Sequence, residues 1–163
     1  MNRVILMLGS NLGNRMDYLK KAREMIHADV GNVIEASSVY ETEPWGFRHE
    51  IQFLNQCIVV ETPLPETEVL QKIQAIEKTL GRKDVALHYA ARVIDIDILF
   101  YNDEVIETDE LTIPHRSLHL RRFVLVPLDE IAPGHVHPVL RQSVSELLYR
   151  CGDQSSVTKF NDR

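Results

Sequence analysis

The chain predicts an α+β fold. Short apolar runs of strand character alternate with two amphipathic helical patterns, and the connections between them are long and mixed, unlike those of a doubly wound sheet. With 163 residues, 44% hydrophobic and 26% charged, the chain has the size and composition of a soluble globular protein with a real core. No repeat, low-complexity tract or linker divides it, so 1–163 reads as one domain. A net charge of −6 argues against general nucleic-acid binding, although a local arginine cluster over a metal suffices to hold a nucleotide.

The elements follow in order. Val4 to Leu8 is an apolar run ending at Gly9-Ser10-Asn11, a buried strand and a turn. Leu12, Met16, Leu19, Ala22, Arg23 and Ile26 keep helical spacing until Gly31-Asn32. Val33 to Tyr40 reads as a second strand, Thr42 to Glu50 as a loop, and Phe53 to Glu61 as a third strand. Pro65 suits a first helical turn, and Val69, Leu70, Ile73, Ile76 and Leu80 form the apolar stripe that Gly81 ends. Arg82 to Ala91 reads as loop and Val93 to Tyr101 as the fourth strand, with Asn102-Asp103 a hairpin turn into Glu104 to Ile106. A short helix is expected over Phe123 to Ile131, and a last one over Val144 to Tyr149 behind a Ser143/Glu146 capping box. From Gly152 to the end the tail reads as loose and polar. Strand, helix, strand, strand, helix, strand is the order of a ferredoxin-like βαββαβ core with an antiparallel sheet, helices packed on it and extra C-terminal elements.

Two acids interrupt the fourth strand. Asp95 and Asp97 lie two apart in Arg-Val-Ile-Asp-Ile-Asp-Ile-Leu-Phe. A strand puts both on one face and Ile94, Ile96 and Ile98 on the other. Such close like charges repel unless neutralised, and Mg2+ is suited to the task, since it takes carboxylates together with substrate phosphates. The plainer reading is a solvated edge strand. Glu77, beside the apolar stripe of its helix, is either a flank residue facing water or a third acid near the pair. Arg82 and Arg92 are either solvated or a phosphate clamp, for which guanidinium is suited. His115, after Pro114 and near Arg121 and Arg122, is a candidate phosphate donor. His135 and His137, between Pro133 and Pro138, read as turn or surface residues. Trp45, Phe53 and Phe123 are core aromatics unless two of them converge on a flat heterocycle, whose polar edge Asn55 is placed to read. Gly9-Ser10-Asn11 is neither a Walker A loop nor a dinucleotide fingerprint. Cys57 and Cys151 lack metal or redox spacing; with no signal-peptide pattern, free thiols in a reducing cytoplasm are expected. No apolar run approaches membrane-spanning length.

Taken together, these residues resemble the 6-hydroxymethyl-7,8-dihydropterin pyrophosphokinase family. The likeness runs from Ile5 to about Pro138. It is carried by Leu8-Gly9-Ser10-Asn11-Leu12-Gly13, Ser38 with Tyr40 and Thr42, Phe53-Leu54-Asn55, Ile76-Glu77, Gly81-Arg82, Arg92 with Asp95-Ile96-Asp97-Ile98-Leu99, Pro114-His115, and Arg121 to Phe123. Arg92, the Asp-x-Asp-Ile strand and the downstream Pro-His are its most specific part. The resemblance implies transfer of the β,γ-pyrophosphoryl group of ATP to the pterin hydroxymethyl oxygen, with release of AMP. It implies two Mg2+ on Asp95 and Asp97, with Arg82 and Arg92 contacting phosphates. Glu77, Ile98, His115 and Arg121 fall on the ATP side. Thr42, Pro44, Trp45, Gly46, Phe53, Asn55, Asp95 and Phe123 fall on the pterin side. The expected partners are these two small substrates, with the chain a monomer and no nucleic acid or membrane engaged.

The chain departs from that pattern between Gly81 and Arg92. Asp84 stands for a basic residue, His88-Tyr89 for Arg-Trp, and Ala90-Ala91 for Gly-Pro. Phe53 keeps the ring of a common Tyr without its hydroxyl, and Glu43 and Trp45 alter the neighbouring loop. The expected outcome is the same reaction with a loop that closes differently. The competing readings are a homologue that binds both substrates but transfers poorly, and a non-enzymatic ferredoxin-like binding domain.

Overall fold

The structure, a computed structural model, describes residues 1–42, 52–81 and 93–161. In chain order these form β1 (Asn2–Ser10), α1 (Arg15–Asp29), β2 (Asn32–Ala36), β3 (Tyr40–Thr42), β4 (Phe53–Thr62), α2 (Glu66–Thr79), β5 (Asp95–Tyr101), β6 (Ile106–Glu107) and β7 (Thr112–Ile113). A 3-10 turn (Leu118–Leu120), α3 (Arg122–Ile131), α4 (Val144–Arg150) and β8 (Val157–Lys159) follow. The main sheet runs β5-β1-β4-β3-β8, with β2 also paired to β4. Its pairings are antiparallel. This is the expected ferredoxin-like order with its second strand in two pieces.

The split arises at contacts with β4. The Ser37 hydroxyl accepts the Cys57 N–H at 3.0 Å, and the Ser37 carbonyl accepts the Gln56 side-chain amide at 2.7 Å. Side-chain groups thus replace part of the backbone ladder, and the expected continuous strand from Val33 to Tyr40 breaks there. Gly9 and Ser10, expected in a turn, instead complete β1.

Helix ends follow their side chains. Asn14 caps α1 by accepting the Asp17 N–H at 3.1 Å. Beyond α1 the chain passes so close to β4 that a Cβ on Gly31 would lie 2.2 Å from the Glu61 carbonyl oxygen, which only glycine tolerates. Pro65 precedes α2, and the Ser143/Glu146 capping box forms at α4 as expected.

The strands of the sheet bury both faces. Val4, Leu6, Leu8, Leu54, Ile58, Val60, Ile96 and Ile98 meet Leu19, Ala22 and Ile26 of α1 and Val69, Ile73 and Ile76 of α2. On the opposite face Ile5, Met7, Cys57, Val59 and Phe100 meet Val124, Leu125 and Leu128 of α3 and Val144 and Leu147 of α4. Cys57 is fully buried, which pushes its thiol far up, and neither cysteine is bonded. Among the described residues no helix is long and apolar enough to cross a membrane.

Three local expectations are corrected. The residues after Asn102-Asp103 do not fold back on β5; β6 pairs with β7 in a separate ribbon, so Ile106 faces Ile113. His135 and His137 are not surface residues. Their rings pack 4.3 and 5.9 Å from that of Phe100, and His137 accepts the backbone N–H groups of Val139 and Leu140. The tail beyond Gly152 is not loose throughout, because β8 pairs along β3. A polar three-residue edge strand has no hydrophobic period to announce it.

Candidate active site

Alternation along β5 separates its side chains. Ile94, Ile96 and Ile98 enter the core against α1 and α2, and Asp95 and Asp97 project half-buried from the opposite face. In register, Asp97 lies opposite Met7 and Asp95 opposite Gly9. Gly9 is in turn opposite Asn55, and Asn55 opposite Tyr40. Asp95, Gly9 and Asn55 thus form one row across three strands, with the acid and the amide about 10 Å apart at the usual strand spacing. A Cβ on Gly9 would sit 2.9 Å from Asn55 Oδ1 and 3.6 Å from the Phe53 ring. The missing side chain lets the Asn55 amide and the Phe53 ring pack over Gly9. Sequence reading treated Gly9 only as a turn residue; a glycine inside a strand run was the available signal for close approach.

At the amide pole, Asn55 Nδ2 donates to Thr42 Oγ1 at 2.6 Å, and both residues are buried. The bond leaves Asn55 with a defined orientation. Phe123 stands in the first turn of α3, with the Arg121 guanidinium 5.8 Å from its ring centroid.

At the acid pole, Glu77 is 5% exposed, and its Oε2 accepts the Ile96 N–H at 3.0 Å. This resolves the alternatives for Glu77: it faces the edge of β5 and not water. His115 is tied to the same strand, donating its N–H to the Leu99 carbonyl at 3.0 Å. Its Nδ1 accepts the Ser117 N–H at 3.2 Å, which puts the ring proton of the neutral form on Nε2. Burial depresses its pKa, the nearby Arg121 and Arg116 push the same way, and Asp95 opposes them. His115 is therefore a neutral donor at pH 7. A cleft of about 360 Å³ follows this edge, lined by Leu70, Ile96, Asp97, Ile98, Thr112, His115 and Arg116 among others. The sequence places Leu70 in the apolar stripe of its helix and does not mark Thr112 or Arg116, since residues from three separate segments meet only in the fold.

Of the expected site residues, Asp95, Asp97, Glu77, Ile98 and His115 gather at the β5 edge, and Thr42, Phe53 and Asn55 at the β3–β4 end; Arg121 and Phe123 start α3. Pro44, Trp45, Gly46, Arg82 and Arg92 lie outside the described residues. Among the described residues no cluster of three or more His, Cys, Asp or Glu forms a metal cage. Two carboxylates on one face beside an open cleft fit Mg2+, which commonly keeps its waters and takes phosphate oxygens instead of a full protein cage.

An antiparallel sheet with paired carboxylates at the edge of one face, and an amide-and-aromatic pole across a glycine, defines a small two-pole α+β site. Residues 5–133 match the family model described as 7,8-dihydro-6-hydroxymethylpterin-pyrophosphokinase. The 2-amino-4-hydroxy-6-hydroxymethyldihydropteridine pyrophosphokinase of Aquifex aeolicus is 42% identical over 146 residues, covering 90% of each chain. That of Bacillus subtilis is 41% identical, covering 80% of this chain and 78% of its own. The folic acid synthesis protein fol1 of Schizosaccharomyces pombe is 38% identical across 91% of this chain, which spans 20% of that protein. A Plasmodium falciparum HPPK-DHPS crystal structure superposes with a TM-score of 0.77 at 20% identity, covering 91% of this chain and 45% of that one. The chain thus spans less than half of that solved protein, and the likeness there is one of fold. The chain belongs to the 6-hydroxymethyl-7,8-dihydropterin pyrophosphokinase family, enzymes of folate biosynthesis.

Proposed function

We propose that this chain transfers the β,γ-pyrophosphoryl group of ATP to the hydroxymethyl oxygen of 6-hydroxymethyl-7,8-dihydropterin, acting as a cytoplasmic single-domain monomer. The observation that carries the proposal is the row from Asp95 across Gly9 to Asn55, which supports a charged pole and a ring-reading pole on one face of the sheet. In the reaction the pterin oxygen bonds to the β-phosphorus, the bond from that phosphorus to the α-bridging oxygen breaks, AMP leaves, and the hydroxyl proton passes to solvent.

Asp95 and Asp97 would hold two Mg2+, which would supply Lewis acidity to offset phosphate charge and to sharpen the pterin hydroxyl as a nucleophile. His115, neutral with its proton on Nε2, donates to a phosphate oxygen without needing to ionise. Arg121 adds fixed positive charge, and Arg82 and Arg92 are assigned the remaining phosphate contacts. Ile98 offers an apolar wall to the nucleotide base. Phe53 and Phe123 are assigned to the faces of the pterin, Asn55 and Thr42 to its polar edge, and Pro44, Trp45 and Gly46 to the adjoining loop. No side chain is assigned as general base, so positioning and charge do most of the work.

The test is AMP release from ATP and Mg2+ with and without the pterin. AMP formed only in the presence of pterin is the expected result. No AMP with tight binding of both ligands would instead favour an impaired homologue. No AMP and no binding would overturn the proposal.

A further inference from the structure

The C-terminal segment touches both walls assigned to the pterin. Its first anchor is at α3. Arg121, at the N-cap position, supplies no side-chain cap, so the first N–H groups of this helix need acceptors from elsewhere. Asp153 supplies one: its Oδ2 accepts the Arg122 N–H at 2.9 Å, immediately before Phe123, and its Oδ1 accepts the Ser155 N–H at 2.9 Å. Burial favours the neutral acid, but these two bonds and the Arg122 charge outweigh it and hold the carboxyl below its ordinary range.

The second anchor is at the opposite wall. Val157, Thr158 and Lys159 pair with Thr42, Glu41 and Tyr40. The next residue, Phe160, donates its N–H to the Val39 carbonyl at 2.8 Å, and its ring packs on the α1–α2 core. The Arg15 guanidinium lies 5.4 Å from that ring and donates to Glu41 Oε2 and to the Gln52 carbonyl, each at 2.8 Å. Strand β3 has three residues and lies between β4 and β8, so β8 supports from the outer side the strand that carries Thr42 beside Asn55.

We propose that residues Asp153 to Phe160 are a strap that sets the spacing between the Phe123 wall and the Thr42–Asn55 wall, with Asp153 and Phe160 as its positioning residues. The strap rests on the reading of those walls as pterin contacts. Its Phe160 anchor acts on the pterin side alone, whereas its Asp153 anchor also adjoins Arg121, a residue assigned to the nucleotide.

The test is a double-mutant cycle in the full chain, Asp153→Ala and Phe160→Ala, singly and together. Binding of 6-hydroxymethylpterin is followed by its fluorescence with Mg2+ and a non-hydrolysable ATP analogue present. Binding of the Mg2+–analogue alone is followed by calorimetry. Each single variant should weaken pterin binding about fivefold, the scale of one lost anchoring contact, and Phe160→Ala, whose anchor is away from Arg121, should leave nucleotide binding within about twofold. A strap cut at one end is already slack, so the double variant should lose clearly less than the product of the single effects. Unchanged pterin affinity, a parallel loss of both ligands in Phe160→Ala, or single effects that simply multiply would each overturn the strap. If either alanine variant fails to fold, Asp153→Asn and Phe160→Leu carry the same expectations at smaller size. A wild-type chain that binds nucleotide but no pterin would overturn the pocket reading itself, a result distinct from a slack strap.

Discussion

The two faces of the sheet come from the same strands and do different things. Toward α1 and α2, Leu6, Leu8, Leu54, Ile58, Ile96 and Ile98 make an apolar layer, with Glu77 at its margin. Toward α3 and α4 the layer is divided. Ile5, Met7, Cys57, Val59 and Phe100 are packed under the helices, whereas Gly9, Asp95 and Asn55 lie in register just beyond them. α3 is ten residues long and begins at Arg122, with Phe123 in its first turn. One face therefore chiefly supplies stability, and the other gives up part of its burial to present polar groups. Each acid sits between isoleucines of the first face, so packing there fixes where the carboxylates point.

This contrast is easiest to break at Asp97. Asp97→Ala should reduce AMP formation at least about 1,000-fold, some 4 kcal/mol in the barrier, with little change in the thermal midpoint. Steady-state kinetics and a melting curve check both halves; a variant with full turnover would mean that the acids are not the metal site. Leu6→Ala, one residue before Met7 but on the other face, should do the reverse. It should cost about 3 kcal/mol in denaturant unfolding and leave the ligand affinities of the folded fraction intact. Glu77→Ala tests the margin between the faces. Leaving the Ile96 N–H without its acceptor should cost about 2 kcal/mol, and Glu77→Gln, which keeps an oxygen there, should recover most of it.

The smallest expected effect sharpens the packed part of the second face. His135 and His137 have pKa values depressed below the ordinary 6.5, chiefly by burial. His119 and His135 push His137 further down, Arg3 acts likewise on His135, and Asp103 opposes it. As pH falls, the unfolded chain takes up protons before the folded one does. Their contribution is therefore intact above about pH 6.5 and declines below it. Urea midpoints measured between pH 7.5 and 5.5 should fall on the acid side, and His137→Asn should flatten that slope.

What could be read from the sequence tracks how local its cause is. The helices, the Ser143/Glu146 box and the Asp-x-Asp alternation depend on spacings of two to four residues, and each formed as expected. The break at Ser37 required knowing that Cys57 would be its neighbour. His137 does open a turn, but its burial depends on the Phe100 ring 37 positions earlier. β8 was missed because Val157 and Lys159 acquire a role only when β3 is already in place. At the site, the acids and Asn55 stand out as polar residues in apolar strands. Gly9 acts by having no side chain, and Thr112 and Arg116 acquire a wall to line only once the ribbon folds beside β5.

The outer edge of β5 has a consequence for the protein as a solute. A strand at the margin of a sheet offers unpaired backbone groups to any other strand it meets, and that is how many sheets begin to aggregate. Here the Ile96 N–H is already given to Glu77, and the Leu99 carbonyl already receives the His115 N–H. At the opposite margin, β8 covers β3. The residues assigned to nucleotide binding thus also blunt the strand that carries the acids, and losing Glu77 should make the chain stickier as well as slower.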